Sequence, residues 1–386
     1  MLGQNAQEFG LPWDGAPEVE RRSVEVERGR SLSALVWGGA GPQGAELVLL
    51  HGGAQNAHTW DTVCLALGRP LVAIDLPGHG HSDWRDDHRY SPSSSAGDIA
   101  TVVETLAPRA EAVVGMSLGG LTAIALGAQR PDLVRKLALV DVTPGVDRQK
   151  AEPIIAFISG PELFASFDEI LERTIRFNPG RTEASLRRGV LHNAKELAGG
   201  GWTWRWDPHR PTGSETLANA KELWDDLERL HAPLLLVRGS QSPVVSDDDV
   251  AELRRRRPDA VVEMVEGAGH SVQGDRPLEL AGLLARRQVA SCACIPSGVS
   301  SMRASCDSRS LRPGMATSSR SAVSRATPAA ARNTTDIPSV KAWRAAPASG
   351  RPSGGGTLRL TARAPPTDWR AAPAARRGSP SRWAAR

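Results

Sequence analysis

Ser117 stands in the stretch Ala112–Ala123, AVVGMSLGGLTA. A short apolar run, Ala112-Val113-Val114, leads into Gly115-Met116-Ser117-Leu118-Gly119, and a Leu- and Ala-rich run continues to Gln129. Glycines two residues either side of a serine, between a strand and a helix, mark a sharp, strained turn with no room for side chains. Such a turn lifts the serine hydroxyl over the end of a sheet. It also aims the next amide, Leu118 N–H, and the helix N-terminus at the place where negative charge would develop. A serine hydroxyl is a poor nucleophile at neutral pH, so a base must take its proton. Histidine, with a pKa of about 6.5, can accept and return one. Of 9 histidines, His270 is the candidate, because it closes the glycine loop Glu266-Gly267-Ala268-Gly269-His270 after a strand-like run. His79 and His81 flank a tight turn, His51 suits a backbone hydrogen bond behind a glycine loop, and His58, His88, His192, His209 and His231 carry no motif.

The elements that must hold these residues follow from the hydrophobic pattern. Ser23–Glu27 and Leu32–Trp37 alternate well enough for a hairpin of outer strands around Arg28-Gly29-Arg30. Leu47–Leu50, Leu71–Ile74, Lys136–Val140, Leu234–Val237 and Ala260–Val265 are apolar runs of the length of strands buried on both faces. Helical patterns separate them at 59–67, 95–106, 120–129, 215–230, 247–257 and 276–286. This alternation predicts an α/β fold, a mostly parallel twisted sheet with helices on both faces. The working residues of such sheets sit at the carboxyl ends of the strands, where Ser117, His51-Gly52-Gly53, Asp141 and His270 all fall. Residues 144–213 break the alternation with helical pieces at 153–158, 161–178 and 183–196, a glycine triplet, and Trp202, Trp204 and Trp206; they read as a helical lid over the strand ends.

Taken together, HGG at 51–53, DLPGHGHS at 75–82, GMSLGG at 115–120 and EGAGH at 266–270 resemble the α/β-hydrolase family, closest to its small serine carboxylesterases and thioesterases. The resemblance covers about Ser23 to Arg287. It implies Ser117 as nucleophile, His270 as base, and an oxyanion hole of Leu118 N–H and Gly53 N–H. It also implies an Asp shortly after Gly239, yet the loop reads Gly239-Ser240-Gln241-Ser242-Pro243. Asp247 comes next, but Ser246-Asp247 before a helical run reads better as a helix cap with an acidic first turn. Some branches of the family place the acid after the preceding strand. That makes Asp141 the candidate acid, with Ser242 as a hydrogen-bond partner of the imidazole. Trp60, Met116, Phe157, Phe164 and Trp202 are candidates for an apolar acyl pocket. Serine at the elbow excludes the Asp-dependent dehalogenases and epoxide hydrolases of this fold.

The expected activity is cleavage of a carboxylic ester or thioester through an acyl-enzyme, with no cofactor and no metal. No arginine pair marks an anionic substrate, so an uncharged or weakly polar small molecule is expected. The alternatives are a cofactor-free haloperoxidase-like or C–C bond hydrolase, and a catalytically weak ligand-binding protein, the last motivated by the missing carboxylate after Gly239.

Composition divides the chain near residue 287. Residues 288–386 hold 16 Lys and Arg against 3 Asp and Glu, although the whole chain has 47 against 43. The body is therefore acidic, and nucleic-acid binding is not expected of it. The tail is poor in Ile, Leu, Val and Phe and rich in Arg, Ala, Pro, Ser and Gly. It reads as disordered, and its composition resembles an off-frame translation of GC-rich DNA with the native frame lost just after Arg287. Cys64, Cys292, Cys294 and Cys306 form neither a disulfide framework nor a zinc pattern. The first residues lack the charge and apolar run of a signal peptide, and no run reaches the ~18 apolar residues of a membrane helix. The expected division is an extension at 1–22, loosely ordered, hydrolase core at 23–143 and 214–287, lid insertion at 144–213, and tail at 288–386. A cytoplasmic monomer or homodimer, with no membrane association, is the default.

Overall fold

The structure, a computed structural model, describes residues 1–39, 44–209 and 220–289. The expected tail from residue 290 onward and the expected helical stretch at 215–219 lie outside the described residues. Eleven strands are present among those described: β1 Val19–Glu27, β2 Arg30–Trp37, β3 Leu47–Leu50, β4 Leu71–Ile74, β5 Ala112–Met116, β6 Leu137–Val140, β7 Leu163–Phe164, β8 Ala194–Glu196, β9 Trp202–Trp204, β10 Leu234–Gly239 and β11 Val261–Val265. Eight of them form one sheet in the order β1-β2-β4-β3-β5-β6-β10-β11. β1 pairs antiparallel with β2, and β2 with β4; every other pair in that sheet is parallel.

Why four-residue strands suffice is visible in their burial. β3, β4 and β6 are buried at every position. Alternate residues feed two cores. Val48, Leu50, Val113 and Leu139 pack with Ile99, Val103, Leu121 and Ile124 from the helices Pro92–Leu106 and Leu118–Gln129 on one face. Leu47, Leu49, Val114 and Val140 pack with Val63, Leu280 and Leu284 from the helices Asp61–Leu67 and Pro277–Val289 on the other. Each fully buried Leu or Val contributes about 1.5–3 kcal/mol, which is what lets short strands with few ladder bonds persist.

Register matters more for function than strand length. Leu50 is level with Gly115, Met116 with Val140, Val140 with Val237, and Gly239 with Val265. The loops after β3, β5, β6, β10 and β11 therefore leave the sheet on one edge. β5 lies between β3 and β6, so the serine loop is flanked by the Gly52-Gly53 loop on one side and Asp141 on the other.

Two expectations need correction. Residues 1–22 are not uniformly loose. Leu2–Glu8 is a helix, with Ala6 fully buried, and Arg188 pairs with both Glu8 and Asn5. β1 also begins at Val19 rather than near residue 23. The segment 144–213 is not only helical. Besides Glu152–Ile158, Phe167–Phe177 and Glu183–Asn193, it contains an antiparallel sheet in the order β7-β9-β8. This segment has a core of its own, in which Ile170, Leu171, Leu186, Val190, Phe164, Trp204 and Trp206 pack together with Ala54. Among the described residues no helix is long and apolar enough to cross a membrane.

Candidate active site

Ser117 has φ 51° and ψ −120° and directly precedes the helix Leu118–Gln129. Positive φ is rare for a non-glycine residue and costs of order 1–3 kcal/mol. Among the described residues it occurs at Ala54, His88, Ser117 and Asp141. Three of these four sit in the loops after β3, β5 and β6, so backbone strain is concentrated where chemistry is expected. The glycines make the turn sterically possible. A Cβ on Gly115 would lie 2.6 Å from Gly120 Cα, one on Gly119 2.6 Å from the His51 carbonyl oxygen, and one on Gly120 2.5 Å from Val142 Cγ1. Gly119→Ala drives a methyl into backbone that cannot yield, and its expected cost is about 1–3 kcal/mol, as for overpacking elsewhere. Urea unfolding with an unchanged m-value measures it; wild-type stability in this variant would refute the steric account.

The histidine and its acid are assembled from the far side of the sheet. His270 Nδ1–H donates to Asp141 Oδ2 at 2.7 Å. Asp141 is fully buried and its own amide is fixed by the Val237 carbonyl at 2.7 Å. Gly239 N–H donates to Asp141 Oδ1 at 2.9 Å, and the Ser242 hydroxyl donates to Oδ2. Three donors thus hold the carboxylate in one orientation. Ser242 is not a partner of the imidazole, as expected from the sequence, but of the carboxylate that orients it. Asp247 is elsewhere: its side chain is 92 % exposed and pairs with Arg238 at 2.7 Å, on the helix Asp247–Arg256 capped by Ser246. With Oδ2 accepting from Nδ1–H, the other ring nitrogen, Nε2, is the one able to accept a proton. Ser117 and His270 line the same cleft; the Ser117 hydroxyl makes no hydrogen bond among the described residues, as is common for catalytic groups without substrate.

Two backbone donors have no protein acceptor among the described residues: Gly53 N–H, on a residue that lines the cleft, and Leu118 N–H, at the helix start next to Ser117. The neighbouring Gly52 N–H is already taken by Gln55 Oε1 at 3.1 Å, which singles out Gly53 in that loop. His51 is fully buried beneath it. Its Nε2 accepts from Leu76 N–H at 2.9 Å, so its Nδ1–H donates to the Gly52 carbonyl at 2.8 Å and fixes the loop from below. Gln55 is a residue the sequence does not reveal. Its amide reaches Ser271 Oγ at 3.3 Å, and Gln273 Nε2 reaches its Oε1 at 3.3 Å, tying the Gly53 loop to the His270 loop. Asp275 is another. It accepts from Gly269 N–H at 2.9 Å, and burial pushes its carboxyl above the usual range.

The cleft measures about 500 Å³. Of the expected pocket residues, Met116 and Phe157 line it, whereas Trp60, Phe164 and Trp202 do not. Trp60 is fully buried in the core beneath, Phe164 packs in the core formed by segment 144–209, and Trp202 packs against Phe167 with ring centroids 5.2 Å apart. Ile154, Ile158, Phe177 and Trp204 complete the apolar wall. Three arginines also line it, contrary to the sequence expectation; one of them, Arg276, donates to the Glu266 carbonyl at 3.2 Å. Arg188 is satisfied by Glu8 and Asn5, and Arg181 donates to Ser185 Oγ at 2.8 Å. His192 is in the cleft wall too, stacked on His58 at 3.6 Å; burial pushes its pKa down to about 3, which leaves it uncharged and too weak a base for general-base work near neutral pH.

Comparison with known proteins covers the stretch of chain that carries these residues. The model of the alpha/beta hydrolase family matches residues 47–283. The chain is 49 % identical over 287 residues to the esterase Rv0045c of Mycobacterium tuberculosis, an alignment covering 72 % of this chain and 92 % of that protein. It is 28 % identical to the 2-(acetamidomethylene)succinate hydrolase of Mesorhizobium japonicum, covering 66 % and 91 %. A refined structure of the M. tuberculosis esterase, described together with its transition metal inhibition, superposes with a TM-score of 0.67 at 46 % identity, over 75 % of this chain and 97 % of that one.

Proposed function

This chain belongs to the alpha/beta hydrolase family, and from that premise we propose that it hydrolyses carboxylic esters or thioesters through an acyl-enzyme on Ser117. The observation that carries this reading is the His270–Asp141 pair at 2.7 Å, on the wall of the cleft that Ser117 also lines. Identity of 49 % to a protein named as an esterase supports it.

The steps follow from the donors and acceptors in place. Ser117 Oγ attacks the acyl carbon as its proton passes to His270 Nε2. The carbonyl oxygen becomes an oxyanion, which Gly53 N–H and Leu118 N–H receive; one such donor is worth about 10²–10³ in rate. Asp141 stabilises the imidazolium and keeps its tautomer. The tetrahedral intermediate collapses, the C–O or C–S bond breaks, and His270 returns the proton to the leaving alcohol or thiol. Water then repeats the sequence on the acyl-Ser117 ester and releases the acid. The apolar wall of Met116, Ile154, Ile158, Phe157, Phe177 and Trp204 suits an acyl chain of short to medium length. We carry over from the M. tuberculosis relative, as part of the same proposal, an expected sensitivity to transition metals.

A series of p-nitrophenyl esters of increasing acyl length tests the reading. The expected result is a burst of p-nitrophenol equal to the enzyme concentration, followed by slower turnover, with the acyl mass recovered on the peptide that contains Ser117. Turnover with neither burst nor adduct under single-turnover conditions would reject the acyl-enzyme. No turnover on any ester or thioester would reject the activity.

A further inference from the structure

Asp61 is a buried carboxylate, 3 % exposed, in the wall of the cleft. Its only protein donor among the described residues is His58 Nδ1, at 3.1 and 3.2 Å from its two oxygens. His192 Nε2 faces the same carboxylate at 3.9 Å, too far for a hydrogen bond, and its ring makes no hydrogen bond among the described residues. A buried carboxylate with one donor, beside an imidazole with none, is under-satisfied. The three ligand atoms lie within 4.8 Å of one another. On a tetrahedral zinc with bonds near 2.0–2.1 Å such atoms sit roughly 3.3 Å apart. The His58 and His192 rings are stacked, with centroids 3.6 Å apart and planes 14° from parallel, so closure needs His192 to rotate out of the stack until both lone pairs meet at the ion.

We propose that His58, Asp61 and His192 bind a divalent transition-metal ion, and that this ion clamps the insertion onto the loop following Gly53 and lowers turnover. The ligand set selects the ion: two imidazoles and one carboxylate suit zinc, cobalt, nickel or copper rather than magnesium or calcium. His58 and Asp61 lie just beyond the Gly53 loop, at the start of the helix Asp61–Leu67, and His192 ends the insertion helix Glu183–Asn193. The two segments already meet there. Asn56 Nδ2 donates to the His192 carbonyl at 3.1 Å, and Asn193 Nδ2 to the Ala54 carbonyl at 2.7 Å. Binding also has a visible cost. Arg21 Nη2 lies 3.0 Å from His58 Nε2; arginine can only donate, so in the metal-free protein His58 carries its proton on Nδ1. Ligation at Nδ1 moves that proton to Nε2, and Arg21 must release the ring while its Nη1 keeps Asp75 and Ser33. A second cluster, His88, Asp207 and His209, is a poorer candidate. Asp207 already accepts from Tyr90 and His88 at 2.6 Å and from His209 N–H at 2.9 Å.

The clamp on turnover rests on the proposed ester hydrolysis; metal binding does not. The full chain is titrated with cobalt(II), followed by its visible ligand-field bands and by calorimetry, and turnover of a p-nitrophenyl ester is measured with zinc and again after chelation. The expected result is one ion per chain and reversible inhibition. His192→Gln and Asp61→Asn should each weaken binding by about 100-fold, the upper end of what losing even an outer partner costs, and should lift inhibition relative to each variant's own metal-free rate. His192→Ala, with its circular dichroism compared to wild type, covers a folding defect in the first variant. Binding lost in His270→Ala would place the ion on the catalytic imidazole, and binding lost in His209→Ala would place it in the second cluster; either overturns the assignment. Binding at this site with turnover unchanged overturns the clamp. If no ester is turned over, the cobalt spectrum still decides the site.

Discussion

Ser117→Ala is expected to lower kcat for p-nitrophenyl esters by about 10⁶-fold, as removing the nucleophile of a serine hydrolase does. Stability should stay within about 0.5 kcal/mol of wild type, because the Ser117 hydroxyl makes no hydrogen bond among the described residues and alanine adds no bulk. The strained φ of 51° is a property of the backbone turn and survives the change. What the variant keeps is also informative. Gly53 and Leu118 still present their N–H groups, so a residual acceleration of about 10³–10⁴ over water should persist through binding and oxyanion stabilisation. Stopped-flow and steady-state release of p-nitrophenol, alongside a thermal melt, measure both. Retention of a tenth of the wild-type rate in a folded variant would mean that water, not Ser117, attacks the ester.

How much of this was legible beforehand depends on how local the physics is. The elbow is legible because its glycines fall at fixed spacing around the serine. Gly115 meets its neighbours, Gly119 and Gly120, within one turn, but Gly119 meets the Leu50 and His51 carbonyls and Gly120 meets Val142, contacts made only in the folded sheet. The central strands are legible because burial on both faces leaves no polar position in β3, β4 or β6. The small sheet β7-β9-β8 is not. β7 and β8 hold 2 and 3 residues, too short for any periodicity, and the pairing of Ala194–Glu196 with β9 is a tertiary fact that the preceding helical pattern hides. The helix Leu2–Glu8 has no side-chain cap; it is held by Arg188, some 180 residues away in sequence. Trp60 and Trp202 illustrate the same limit. An aromatic residue near a candidate loop can face the cleft or the core, and only packing decides; Trp60 went to the core. His58, Asp61 and His192 carry no motif because the two segments that bring them together meet only in the folded chain.

The acid is where sequence reasoning came closest to failing, and Asp141→Asn is the substitution that tests it. The expected loss is about 10⁴ in kcat, with the fold intact. The argument is one of tautomers. Asp141 Oδ2 accepts the His270 Nδ1 proton at 2.7 Å, and Oδ1 accepts Gly239 N–H at 2.9 Å. In asparagine the remaining oxygen can keep the Gly239 amide, so the NH₂ group turns toward His270 and Ser242. Ser242 can rotate its hydroxyl to accept, which spares stability. His270 cannot adapt without cost: Nδ1 must then accept, the ring proton moves to Nε2, and the nitrogen needed to take the Ser117 proton is blocked. Asp247→Asn changes a carboxylate that is 92 % exposed and bonded to Arg238, and kcat should stay within about twofold, as for a surface substitution remote from the site. Equal losses in the two variants, or less than a tenfold loss in Asp141→Asn, would remove Asp141 from the machinery and return the acid to the loop after Gly239. A 10⁴-fold loss confined to Asp141→Asn would explain how Gly239-Ser240-Gln241-Ser242-Pro243 can lack a carboxylate and still serve catalysis: that loop supplies Gly239 N–H and the Ser242 hydroxyl to orient an acid carried just past the end of the neighbouring strand β6.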